Sequence, residues 1–224
     1  MSDPSSPAPR AIPGQTRIAV GRFVAGRVHQ LDASRESAST RATLANLRRA
    51  VAREVGSVPE IWQVTLDGAP GTPRGDAPTV EEIAIHATLT LYAVHQQSKV
   101  ESMHRRGAGL GHAVRRLEAR AGQPGSSDVS PVRRRFDALA TSQSVSEARH
   151  HLRGLVGQLS ANGIPLDYGM LAEDLHDLQI AHRAPSVRLR WARQYYRIDD
   201  GDDGKVSAVP EQGRSDDATQ EEDQ

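Results

Sequence analysis

The chain has 224 residues, of which 37% are hydrophobic and 4% aromatic, and it contains no cysteine. This length suits one domain or two small ones that share a core, and an interior built from aliphatic side chains favours packed helices over an aromatic-rich sandwich. The lack of cysteine excludes disulfides, thiolate zinc sites and a cysteine nucleophile. Residues 1–13 lack the basic-then-apolar order of a signal peptide, and no apolar run approaches the roughly 20 residues of a membrane helix, so we expect a cytoplasmic protein without a membrane partner.

The formal net charge is zero, with 28 basic and 28 acidic residues, but the two signs are segregated along the chain. Residues 199–224 hold ten of the acids and only two of the bases, Lys205 and Arg214. Subtracting these from the totals leaves 26 bases against 18 acids, a surplus of +8, in the rest of the chain. All but one of those bases are arginines, which suit bidentate contact with phosphate, although GC-rich coding also favours arginine over lysine. The surplus itself predicts a polyanionic partner.

Four parts are predicted along the chain. Residues 1–15, rich in Pro and Ser, read as a disordered N-terminal arm, and residues 199–224 read as a disordered acidic tail that shields the basic body or keeps it in solution. Between them nearly every segment has helical periodicity and none alternates like a strand. We therefore predict an all-α fold of eight to nine helices in two linked bundles. A loop at 122–127 separates an N-terminal helical subdomain, residues 16–125, from a C-terminal one, residues 126–198.

Start signals and apolar spacing place the individual helices. Thr79 with Glu82, and Ser144 with Glu147, fit capping boxes, and Ser130 followed by proline fits an N-cap with proline at the first helical position. In chain order the predicted helices lie near residues 17–31, 41–55, 59–66, 79–94, 111–121, 130–139, 144–162, 166–179 and 186–197.

The spacing Glu-x-x-His raises the possibility of a metal site. Two such pairs facing inward from a four-helix bundle, with two further glutamates, would bind a di-metal centre. The spacing occurs at Glu101/His104, Glu147/His150 and Glu173/His176. On the predicted helix 166–179, Glu173 lies about 200° and His176 about 140° from the buried Leu171, so both are expected to face solvent. A di-metal oxidoreductase is thus the third-ranked alternative, and we expect no metal and no cofactor.

No other catalytic pattern stands out. The chain has no Gly-x-x-x-x-Gly-Lys phosphate loop, and its serines lack a partnering His and Asp at a recognisable elbow, so we expect no enzymatic activity.

Arginines recur on the polar sides of several predicted helices. A single arginine is more often part of a solvated face, but doublets and triplets on different helices, together with the +8 surplus, favour a surface that follows a phosphate backbone. Aromatic residues do not alternate with them, so base stacking is expected to be slight and sequence readout weak. The arginines concerned are Arg49, Arg53, Arg115, Arg116, Arg133, Arg134, Arg135, Arg190, Arg193 and Arg197.

Nine sequence blocks occur in order between residues 41 and 197: LANLRR (44–49), VPEIW (58–62), YAVHQQS (92–98), MHR (103–105), GLGHAVRRL (109–117), RRFDAL (134–139), HLR (151–153), LDY (166–168) with Leu171 and DL (174–175), and VRLRW (187–191). Together they resemble the CasB family, the small subunit of the type I-E CRISPR complex Cascade. The resemblance covers most of the chain between the predicted arm and tail, and it omits both of those segments.

The resemblance implies a two-lobed, all-helical and non-catalytic protein that is present in two copies in Cascade. Such a protein contacts the other Cascade subunits, the guide RNA and the target strand, and it holds the displaced DNA strand as the R-loop opens. The basic positions inside the matched blocks become the implied nucleic-acid contacts: Arg48, Arg49, Arg105, Arg115, Arg116, Arg134, Arg135 and Arg153. His112 departs from the pattern, which has a base at that position, so a contact there becomes pH-dependent or is lost.

Other residues of the blocks are expected to be structural. Trp62, Phe136, Tyr168 and Trp191 are predicted in the core, and Asp167 is predicted to cap the helix that follows it. A second hypothesis is that the protein is a helical protein-protein scaffold whose arginines bind acidic partners.

Overall fold

The start signals and apolar spacing produce helices at nearly all of the expected positions. The computed structural model describes residues 13–121 and 129–196, and these ranges contain no β-strand, which confirms the predicted all-α class. The predicted tail, the 122–127 loop and the first twelve residues of the predicted arm lie outside the described residues. The described part contains one short 3-10 helix, Pro59–Ile61, and nine α-helices: α1 Pro13–Ala33, α2 Ala38–Ala50, α3 Trp62–Thr65, α4 Val80–His95, α5 Leu110–Arg120, α6 Pro131–Thr141, α7 Val145–Ala161, α8 Tyr168–Leu178 and α9 Ala184–Tyr196.

The predicted caps form with small differences. Thr79 and Glu82 make a complete capping box at α4, and the Ser130 hydroxyl accepts the Arg133 amide at 3.0 Å. At α7 the Ser144 hydroxyl accepts the Glu147 amide at 3.1 Å, but the Glu147 carboxylate accepts the amide of residue 143 instead of that of Ser144. The reciprocal half of this predicted box was therefore wrong, because the Glu147 carboxylate binds the amide that precedes the N-cap residue.

Helix α4 forms the centre of the core. Residues 84–93 are buried without interruption, because α1, α2, α7 and α8 all pack around this helix. Buried apolar residues from both predicted subdomains belong to one continuous cluster. The subdomain boundary at 125/126 stays a prediction, and α8 contacts α1 and α4 across it. Each helix of the two described ranges is too short or too polar to cross a lipid bilayer.

Helix α8 lies between α1 and α4, and this position overturns the expected orientation of Glu173 and His176. His176 is buried beside Glu81 and Asp177, and half-buried Glu173 accepts a hydrogen bond from Arg17 Nη1 at 2.6 Å. The prediction that both face solvent was wrong because it assumed one buried stripe, whereas α8 is covered on two sides.

The prediction of core aromatics holds for three of the four residues. Phe136, Tyr168 and Trp191 are buried, but Trp62 is 46% exposed. Helix α3 is a single turn packed on α4, so it buries only one side, which carries Thr65, and the buried Ile61 precedes it at the end of the 3-10 helix. The residue after Ile61 is rotated by about 100°, which turns the Trp62 side chain outward.

Two contacts fix α9 against the rest of the fold. Gly111 on α5 allows a close approach, because a Cβ there would lie 2.2 Å from the Trp191 carbonyl oxygen. The Asp174 carboxylate of α8 accepts the Trp191 indole N–H at 2.6 Å and the Arg190 Nε–H at 3.0 Å. Burial raises the pKa of Asp174 to about 6, against the opposing effect of the Arg190 guanidinium and the indole N–H. Asp174 is thus the polar link between α8 and α9.

Candidate nucleic-acid interface

The structure separates the arginines into two groups. One group is engaged inside the fold, by carboxylates or by backbone carbonyl groups, and includes Arg17, Arg27, Arg35, Arg120, Arg133, Arg149, Arg188 and Arg190. None of the eight predicted contact residues belongs to this group. Within residues 13–121 and 129–196, none of those eight forms an ion pair with a carboxylate. Their charge is therefore available to an external anion.

The end of α2 carries the first two predicted contacts. Arg48 is half-buried, and Arg49 is exposed with a hydrogen bond to the Asn46 side chain. Arg149 of α7 donates to the Val51 carbonyl oxygen at 2.9 Å and to the carbonyl of residue 53 at 3.2 Å. These bonds hold the last turn of α2 beside the first half of α7.

Helices α6 and α7 carry the next three. Arg153 is exposed and lies one turn beyond Arg149 on α7, a rise of about 6 Å. The side chain of Arg135 lies across α7 at Gly154, where a Cβ would be 3.1 Å from its Nε atom. Arg134 is exposed next to it. Contacts thus link the segment after α2 to α7, and α7 to α6, and each of these helices carries predicted contact residues.

Helix α5 packs against α6, α7 and α9 and adds Arg115, half-buried, and Arg116, exposed. The nearest carboxylate on the same helix, Glu118, is already engaged by the hydroxyl groups of Ser130 and Tyr195. We call the region of α2, α5, α6 and α7 the arginine face, with these members: Arg48, Arg49, Arg115, Arg116, Arg134, Arg135 and Arg153.

Arg105 stands apart from the arginine face. It lies in the loop between α4 and α5, where its amide donates to the Leu166 carbonyl oxygen at 3.2 Å. Asp167 fixes this loop by accepting the Gly107 amide at 2.7 Å while it caps α8 through the Met170 amide at 3.0 Å, which confirms the predicted cap. The loop therefore lies beyond the C-terminal end of α7, whereas Arg153 lies at the middle of that helix.

Two arginines expected at the surface have internal partners instead. Arg133 Nε binds Asp137 at 2.7 Å, and its guanidinium lies over the Tyr195 ring at 4.8 Å. Arg190 binds Asp174. The prediction that they present free guanidinium groups was wrong, because Arg133 pairs with Asp137 one turn further along α6, and Arg190 pairs with Asp174 of α8, which packs against α9. Arg197 lies outside the described residues, and His112 is half-buried on α5.

Exposed arginines also occur just outside the matched blocks. Arg53 follows α2 near Arg49, and Arg106 follows Arg105, and both side chains are exposed. The resemblance missed them because its blocks end one to four residues earlier. Adjacency to a matched arginine is the signal that would have found them.

The carboxylates and histidines do not converge on a metal site. In the described part of the chain, no group of three or more His, Asp or Glu side chains could hold a metal ion. The di-metal hypothesis has no site among these residues.

The class that these observations define is an all-helical domain with arginines on α2, α5, α6 and α7 that have no carboxylate partner among the described residues. Residues 43–196 match the family model of CRISPR-associated protein Cse2, and the chain belongs to this family. The resemblance to CasB predicted from the nine blocks is thereby confirmed.

Solved structures agree with this assignment. CasB from Thermobifida fusca is 36% identical, with a TM-score of 0.67 over 80% of this chain and 98% of that one. CasB from Thermus thermophilus is 24% identical, with a TM-score of 0.57 over 79% and 97% of the two chains. A chain of a CRISPR RNA-guided surveillance complex has the same fold at 20% identity, with a TM-score of 0.60 over 79% and 92%. No curated protein sequence matches the chain.

Proposed function

We propose that this protein is a non-catalytic, cytoplasmic small subunit of a type I-E Cascade complex that binds nucleic acid through its arginine face. In this role it contacts the guide RNA and target strand and holds the displaced DNA strand of the R-loop. The observation that carries the proposal is the set of arginines without carboxylate partners on the neighbouring helices α2, α5, α6 and α7 of a Cse2-family fold.

Phosphate chemistry suits this surface. A guanidinium group binds phosphate oxygens through two parallel N–H donors, and a partner-free guanidinium loses no internal ion pair when it does so. Opening a DNA duplex against a guide RNA is a nearly balanced exchange, so a few backbone contacts to one strand can shift its equilibrium. Contacts to the backbone do not depend on the base sequence of the strand. Antiviral surveillance requires this, because its guide RNAs change.

The partners follow from the same proposal. A family relative of the same fold is a chain of an RNA-guided surveillance complex, so we propose the other Cascade subunits and a second copy of this protein as neighbours. Two copies side by side would extend the arginine face along a longer stretch of strand than one copy covers.

The salt dependence of binding tests the proposal against the scaffold hypothesis. We expect the purified full-length protein to bind fluorescently labelled single-stranded DNA, with a plot of log affinity against log salt that falls with a slope of about −0.7 for each phosphate contact, or about −3 to −5 in total. Fluorescence anisotropy over a series of salt concentrations gives this slope. Absence of binding at low salt, or a flat response to salt, would contradict the proposal and support a scaffold that binds acidic proteins.

A further inference from the structure

Trp62 is a large aromatic side chain at the surface next to the end of α2. The residue is 46% exposed, and its indole N–H donates to the Gly56 carbonyl oxygen at 3.0 Å. This hydrogen bond fixes one edge of the ring and limits its rotation, so the exposed part of the ring keeps a defined position.

The position lies within reach of the basic end of α2. The 3-10 helix before Trp62 packs against α2, and Gly56 is three residues beyond Arg53, which limits their Cα separation to about 10 Å. Arg53 is exposed, and its carbonyl group is held by Arg149. A strand whose phosphates contact Arg49 and Arg53 would therefore pass close to the indole ring.

The surroundings of Trp62 differ from a protein-docking patch. The other exposed large apolar side chains of the described residues belong to α1, to α9 and to positions 100 and 129, so none of them is a sequence neighbour of Trp62. Protein hot spots sit inside larger apolar surfaces that exclude water. Glu54 and Glu60 lie close to Trp62 in the sequence and are exposed, so the segment does not favour a phosphate, whereas an uncharged base is compatible with carboxylates.

We propose that Trp62 stacks against a nucleobase of a single-stranded nucleic acid whose phosphates lie on Arg49 and Arg53. This inference rests on the proposed function, since it places one base of the strand held by the arginine face. It adds one base contact to a surface otherwise devoted to the backbone. Stacking on an aromatic side chain tolerates any base, so the contact preserves binding without sequence preference.

The test compares two ligands of equal length and charge: a single-stranded oligothymidylate and an abasic deoxyribose-phosphate chain. We expect the full-length protein to bind the oligothymidylate about tenfold more tightly than the abasic chain. Trp62→Ala is expected to remove this difference, and Trp62→Phe to retain most of it. Leu189→Ala is the matched control, because Leu189 is 49% exposed and lies on α9, and it is expected to keep the full difference.

Tryptophan fluorescence gives an independent readout. The chain has two tryptophans, and Trp191 is fully buried, so quenching by the oligothymidylate is expected from Trp62 and is expected to vanish in Trp62→Phe.

Equal affinity of the wild type for the two ligands, without quenching, would overturn the stacking while leaving the salt-dependent backbone binding intact. Equal weakening for both ligands in Trp62→Ala would also overturn it and indicate a structural role. Loss of complex assembly in Trp62→Ala, with unchanged oligothymidylate binding, would identify a protein contact instead. Failure to bind either ligand at low salt would reject the proposed function itself.

Discussion

Replacing Arg134 and Arg135 by glutamate is expected to weaken binding to single-stranded DNA on the order of 100-fold at low salt, because two phosphate contacts become repulsive. The slope of log affinity against log salt should become shallower by about 1.4, which is 0.7 for each lost contact. Both side chains are exposed and have no carboxylate partner among the described residues, so the folded state loses no ion pair. Anisotropy titrations at several salt concentrations measure both effects.

The double variant Arg22→Glu and Arg74→Glu is the matched control. It changes the net charge by the same amount, at two other exposed arginines. Arg22 lies on α1, which packs against α4 and α8, and Arg74 lies in the loop before α4. We expect this variant to lose only a few-fold in affinity, through the long-range field, which salt screens. Equal losses in the two variants would show that net charge, and not the arginine face, governs binding.

Asp174→Ala is expected to destabilise the protein by about 3 kcal/mol, because it leaves the buried indole N–H of Trp191 without an acceptor, leaves Arg190 without its carboxylate and opens a small cavity. For a domain of this size the melting temperature should fall by about 6–12 °C. Thermal unfolding followed by circular dichroism measures this change. A fall of less than 2 °C would contradict the role of Asp174 as the link between α8 and α9.

The pH dependence of stability separates the charge of Asp174 from its hydrogen bonds. Burial raises its pKa from 3.8 to about 6, so the folded state binds a proton more tightly than the unfolded state. Protonation of Asp174 therefore stabilises the folded state. This contribution is complete below pH 3.8 and is lost as the pH rises through about 6. Asp174→Asn keeps an acceptor for the indole N–H and does not ionise, so the wild type should lose stability relative to this variant between pH 4 and 7. Urea titrations across this range give the difference, and a relative gain by the wild type would contradict the raised pKa.

Local signals were enough to predict most of the helices. Threonine, serine and aspartate at positions 79, 130 and 167 accept hydrogen bonds from amides in the first turns of α4, α6 and α8. These hydrogen bonds join residues three apart, so they are visible in the sequence. Periodicity gave wrong orientations at two helices: α8 is covered on two sides, and the single turn of α3 buries Thr65 but not Trp62.

The candidate site was predictable only in part. The eight arginines chosen from the family blocks have no carboxylate partner among the described residues, but Arg190, which also lies in a block, binds Asp174. Arg190 meets an aspartate sixteen residues away on another helix, and Arg133 stacks on rings at the end of α9. Packing between different elements also places Arg135 against α7 and leaves Arg105 in a separate loop. Pairings between helices depend on packing, which no local pattern encodes, whereas the Arg133–Asp137 pair joins residues four apart in one helix and is visible in the sequence.

R-loop lifetime in the assembled complex tests the central claim most directly. A guide-loaded complex would be prepared with wild-type protein, or with a variant in which five exposed or half-exposed members of the arginine face are changed to glutamate: Arg48, Arg49, Arg134, Arg135 and Arg153. Fluorescent labels on the two DNA strands would then report re-annealing. We expect the variant to assemble and to lose its R-loop at least about tenfold faster, which corresponds to about 1.4 kcal/mol. An unchanged lifetime in a fully assembled variant complex would contradict the assignment of the arginine face to nucleic-acid binding.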